Sequence, residues 1–78
     1  MHNPLTAVEE QVLKDTLLVV DGGYITIRSG RYVVCPRRSN QHTVGTHEVY
    51  EAVQRGFAVI RALHVHVTPQ GWAFCGLA

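Results

Sequence analysis

Apolar positions along residues 8 to 20 keep helical spacing: Val8, Val12, Thr16 and Val20 fall at four-residue steps, with Leu13 and Leu17 widening the stripe. Thr6-Ala7-Val8-Glu9 fits a capping box, in which a Thr hydroxyl and a Glu carboxylate each satisfy a free N–H at a helix start. A helix over residues 6 to 19 is predicted, closed by Asp21-Gly22-Gly23. The period then changes to two. Residues 24 to 35 read YITI-RSGR-YVVC, a hairpin turned at Ser29-Gly30. Pro36 interrupts the ladder, and residues 37 to 45 form a polar, turn-rich loop. Thr46 is a second candidate cap. Val49, Ala52, Val53 and Phe57 form the stripe of a short helix that Gly56 ends, and Val59-Ile60 then echoes Val19-Val20. Residues 64 to 75 read HVHV-TPQG-WAFC, predicting a second hairpin turned at Thr68-Pro69-Gln70-Gly71.

The two hairpin patterns lie forty positions apart, each after a helical stretch. The expected fold is therefore α+β in the order α-β-β-α-β-β. Residues 6 to 35 and 46 to 75 would form halves related by a pseudo-twofold axis, with two helices on one face of an antiparallel sheet. Alternation puts Ile25, Ile27, Tyr32 and Val34 on one face and Val65, Val67, Trp72 and Phe74 on its equivalent, both turned to the helices. The opposite face would hold Tyr24, Thr26, Val33 and Cys35 from one hairpin and His64, His66, Ala73 and Cys75 from the other.

Seventy-eight residues make one domain, spanning 1 to 78, and a second is excluded. Its core is thin, so a homodimer or a bound partner is expected to supply further burial. With 46% hydrophobic and 17% charged residues, intrinsic disorder is excluded. No run of eighteen apolar residues exists, so no membrane partner is expected. The opening MHNPLTAVEE carries acids where a secretion signal carries bases, which points to a cytoplasmic protein with reduced Cys35 and Cys75.

The net charge of +1 hides an asymmetry: residues 1 to 23 balance at minus three, whereas residues 24 to 47 hold Arg28, Arg31, Arg37 and Arg38 with no acid. A basic middle of this kind points to a polyanionic partner.

The segment VYEAVQRGFAVIRALHVHVTPQGWAF resembles the closing part of a winged-helix domain over roughly residues 46 to 76. In that family a helix ends in an Arg-Gly step, here Arg55-Gly56, and a two-stranded wing carries a Thr-Pro-x-Gly turn, here Thr68 to Gly71. The resemblance implies nucleic-acid binding. The chain departs from the family in having only the polar stretch PRRSNQHTVG where a further helix would stand. As a short Arg- and Val-rich chain it also resembles small proteins of phages and mobile elements, among them regulators and anti-CRISPR inhibitors.

Arg28, Arg31, Arg37 and Arg38, with Asn40 and Gln41 in the adjoining loop, are expected to form one exposed rim that grips phosphates. Tyr24, His64 and His66 on the opposite sheet face are the expected contacts to a protein partner. His64, His66 and Cys75 are the residue types of a zinc site, with Cys35 or His42 as a fourth ligand, but no CxxC or HxxxH pattern supports one. Cys35 with His42 or His47 and Asp21 offers the residue types of a nucleophile, a base and an orienting acid. No spacing brings them together and no oxyanion hole is recognisable. Trp72 and Tyr32 are expected in the core, leaving Tyr24 as the exposed aromatic. The expected function is non-enzymatic nucleic-acid binding without a cofactor or metal. The alternative is an inhibitor that binds a host or effector protein and presents Glu9, Glu10 and Asp15 as a mimic of DNA phosphates.

Overall fold

The computed structural model describes residues 4–37 and 43–77. These residues form an α+β domain with three helices and a five-stranded antiparallel sheet. Helix α1 (Ala7–Val20) begins at the expected capping box: Thr6 Oγ1 accepts from Glu9 N at 3.1 Å, and Glu9 Oε1 accepts from Thr6 N at 3.1 Å. It ends where Gly22 takes a φ of 78°, which glycine adopts without a Cβ clash. Strands β1 (Tyr24–Arg28) and β2 (Arg31–Cys35) form the predicted hairpin. Its tip is Ser29-Gly30, with positive φ at both residues as a two-residue type I′ turn requires. Strand β3 (Val44–Gly45) adds a short edge, and Gly45 caps α2 (Thr46–Gln54).

The second half departs from the expected pattern. Its hairpin is β4 (Ala58–Arg61) and β5 (His64–Val67), turned at Ala62-Leu63. Thr68 to Gly71, read in the sequence as a wing turn, opens helix α3 (Pro69–Phe74) instead. Proline has the same fixed φ at the second position of a turn and at the first position of a helix, so the sequence alone does not separate the two. Thr68 decides for the helix: its hydroxyl accepts from Gly71 N at 3.0 Å and donates to the Gly56 carbonyl at 2.7 Å. Gly71 serves close packing rather than a turn, since a Cβ there would run into the Phe57 carbonyl.

The sheet order is β3-β2-β1-β5-β4. The first hairpin gives its first strand to the centre and the second hairpin gives its second. Equivalent strands therefore do not meet, and the expected pseudo-twofold axis is absent. The join between β1 and β5 is short, centred on Tyr24 opposite His64 and extended by hydrogen bonds from Gly22 N to Val65 O and from Val65 N to Gly23 O. At the end of β5, Asp21 Oδ1 accepts from Val67 N at 3.1 Å and ties the exit of α1 to the sheet.

The core lies between the sheet and α1 with α2: Leu13, Leu17, Val20, Val49 and Ala52 meet Val34, Ala58, Val65 and Val67. Residues of α1 at 13, 16, 17 and 20 are buried, so the stripe begins later than expected. Val8 and Val12 are left exposed at 73% and 49%. Trp72 and Phe74 reach the core side as expected, but from α3, with Phe74 stacked on Phe57 at 4.3 Å between ring centroids. Ile27 and Tyr32 share the face of Ile25 and Val34, yet are 58% and 66% exposed because the helices cover only the other end of the hairpin. The expectation that Tyr32 fills the core is corrected accordingly. Among the described residues, no helix is long and apolar enough to cross a membrane.

Candidate functional site

Register determines which side chains share the sheet face that the three helices leave open. Residues directly opposite in an antiparallel pair point the same way. The pairs Arg28 with Arg31, Thr26 with Val33, Tyr24 with Cys35, Tyr24 with His64, Arg61 with His64 and Val59 with His66 all lie on this face. Leu17, Val20, Val34 and Val65, in contrast, are buried on the helix side. The open face thus presents Arg28, Arg31 and Arg61, two imidazoles and the half-exposed ring of Tyr24. None of the five strands contains an acid.

The distribution of charge follows from this layering. Five of the six acids, Glu9, Glu10, Asp15, Glu48 and Glu51, belong to α1 and α2. The two cations nearby pair with them: Lys14 Nζ lies 3.0 Å from Glu10, and Arg55 lies 3.1 Å from Glu51. A chain with almost no net charge therefore has an acidic helical side and a basic sheet side. Long-range attraction depends on that separation more than on the total.

The expected rim of four arginines is divided by the structure. Arg28 and Arg31 flank the Ser29-Gly30 tip, whereas Arg37 follows the far end of β2, and its Cδ lies 3.2 Å from where a Cβ on Gly22 would stand. Along the length of β2 this is a separation of about 20 Å, from the rise of an extended strand. Arg38, Asn40, Gln41 and His42 lie outside the described residues. Arg61 takes up a position on the open face that the sequence reading missed. The usable signal was the alternation of Ala58 and Ile60 with Val59 and Arg61, once residues 58 to 61 are read as a strand.

Tyr24, His64 and His66 do share the open face, as expected. The Tyr24 and His64 rings stand 6.4 Å apart at 50°. His64 Nδ1 is 3.0 Å from the Ala62 carbonyl oxygen. A carbonyl only accepts, so this contact is a hydrogen bond when Nδ1 carries the proton. The turn that holds Arg61 beside His64 is strained: Ala62 and Leu63 have φ of 49° and 66°, a region that side chains with a Cβ disfavour. Next to it, Val59, Arg61, His66, Thr68 and Pro69 line a depression of about 290 Å³, with apolar walls from Val59 and Pro69 and three polar side chains.

The candidate zinc ligands are not brought together. Cys75 caps α3 on the helix side, where its Sγ lies 3.9 Å from the Lys14 carbonyl and burial pushes its thiol pKa up. Arg61 and Tyr24 stand beside His64 where Cys75 was expected. Among the described residues no three His, Cys, Asp or Glu side chains are placed to hold a metal ion. Cys35 shares the open face by register but is 1% exposed, Asp21 accepts from β5, and His47 belongs to α2 and lines the groove between α1 and α2. No family model matches the chain, and no curated protein or solved structure matches it.

Proposed function

We propose that the protein is a non-enzymatic nucleic-acid-binding protein of the cytoplasm, a small regulator of the phage or mobile-element kind, that holds phosphates on its open sheet face. One observation carries the reading: Arg28, Arg31 and Arg61 share an acid-free face with His64 and His66, while the acids sit on the other side of the molecule. Guanidinium groups bind phosphate oxygens in pairs of parallel hydrogen bonds, and a face whose strands carry no acid favours a polyanion by its charge. Arg37, at the other end of the first hairpin, extends the contact, and Arg38, Asn40 and Gln41 follow it in sequence, outside the described residues. The test is fluorescence anisotropy of labelled random duplex and single-stranded DNA at low and moderate salt. Micromolar binding that weakens with salt and is lost when Arg28, Arg31 and Arg61 become Ala is expected; no binding to either at low salt would reject the reading.

A second reading is an inhibitor that binds host machinery, an anti-CRISPR protein in kind. It is favoured by a groove of about 260 Å³ between α1 and α2, with Val8 and Val12 among its apolar lining and Glu9, Glu48 and Glu51 around it. Capture of a protein target that survives the three arginine changes but fails when Val8 and Val12 become Ser would favour it.

A further inference from the structure

We infer that the ligand of the open face is a single strand, with a base stacked on Tyr24 and the backbone held by Arg28 and Arg31 at one end and Arg61 at the other. This rests on the nucleic-acid reading above and adds the form of the polymer.

Helical entry into a duplex groove has no support from the charges. Reading a major groove takes an element that enters it with donors on its surface. The two long helices carry the acids, and α3 is six residues, PQGWAF, without a cation. The sheet offers something different. Tyr24 is 40% exposed near the middle of the face, where β1 joins β5. Four residue steps along β1 separate it from Arg28, about 13 Å, and two strand spacings separate it from Arg61, about 10 Å. That span suits about two or three unstacked nucleotides, as on other sheet platforms for single strands. The depression beside Arg61 and His66 has apolar walls from Val59 and Pro69 and is the place for a neighbouring base or phosphate. A duplex keeps its bases stacked inside, so it would bring no base to Tyr24 or to this depression.

The tip of the first hairpin is the competing geometry. Arg28 and Arg31 at its turn could enter a major groove as a two-stranded ribbon, and binding of that kind would be indifferent to Tyr24 and Arg61.

The experiment compares a labelled oligothymidylate of about twelve residues, a duplex of equal length and an abasic strand of equal charge, all at low salt, by anisotropy. The single strand is expected to bind about ten-fold more tightly than the duplex. Tyr24→Thr, which keeps a strand-forming residue, is expected to cost about ten-fold on oligothymidylate and nothing on the abasic strand, as loss of one stacked base predicts. Tyr24→Phe is expected to bind like the parent. Should Tyr24→Thr fail to fold by circular dichroism, the exposed Arg61→Gln carries the test, with a several-fold loss expected on the single strand. A duplex bound as tightly as the single strand, equal losses on oligothymidylate and abasic strand, or an Arg61→Gln variant without effect would overturn the inference while leaving phosphate binding intact. Absence of binding to every probe would overturn both.

Discussion

Thr6 and Glu9 satisfy each other's backbone N–H groups, and the hydrogen bond from the Thr6 backbone, helped by the Thr6 hydroxyl, holds the Glu9 carboxyl below its usual pKa. A carboxylate depressed in the folded state contributes stability that is complete above the ordinary Glu range. That contribution is lost as the pH falls through the lower folded value. Glu9→Gln keeps a capping side chain without a titrating group. The melting-temperature advantage of the parent over Glu9→Gln is therefore expected to shrink from neutral pH into acid; parallel curves would show that ionised Glu9 adds nothing. Thr6→Ala removes the other half of the box and is expected to cost about 1 kcal/mol in urea unfolding. Both residues announce themselves in sequence because a capping box is local. Arg61 did not, because its face depends on β4 pairing with β5.

At the scale of elements, the two hairpin turns and α3 show how far local signals reach. Ser29-Gly30 carries a residue suited to positive φ, and its turn was legible. Ala62-Leu63 carries none, and two residues with a Cβ hold the same conformation under strain. Replacing them with Asn-Gly is expected to stabilise the protein by about 1 to 2 kcal/mol, read as a higher urea midpoint, because Leu63 is exposed and little packing is lost. No change would mean that the flanking Arg61 and His64 pair, rather than the turn, limits this hairpin. In α3, Gly71→Ala places a methyl group against the Phe57 carbonyl and the Val67 side chain. A loss of about 2 kcal/mol is expected from such overpacking. Were Thr68 to Gly71 a wing turn in solution, that substitution would be nearly silent. The sequence supports either outcome at these four residues; the contacts with Phe57, Val67 and Gly56 select the helix.

Across the whole molecule, layering turns a scattered set of charges into two sides of opposite sign. Three phosphate contacts to a single strand give a slope of about −2 in a plot of log affinity against log salt. Each Arg→Ala change among Arg28, Arg31 and Arg61 is expected to flatten it by about 0.7. Arg55→Ala is expected to leave the slope unchanged, since Arg55 lies at the end of α2 and is engaged with Glu51. Equal effects from all four would mean that net charge rather than the open face sets binding.

Nearest neighbours along the chain were enough to set several elements. They specified the capped first helix, the first hairpin with its register and turn, the helix over Val49 and Ala52, and the alternation that puts Tyr24 opposite the core-facing residues. These depend on periodicity, caps and glycine conformations, all encoded within a few residues. Long-range pairing and packing settled the rest. Ala58 to Arg61 became a strand because β5 is there to pair with it, and Pro69 to Phe74 became a helix because Phe57 and Val67 leave room for Gly71 and no more. Tyr32 stayed exposed because the helices end before the hairpin does. Arg61 joined Arg28 and Arg31, and Arg37 parted from them, because strand order places residues far apart in sequence on one face and carries close ones to opposite ends of the sheet.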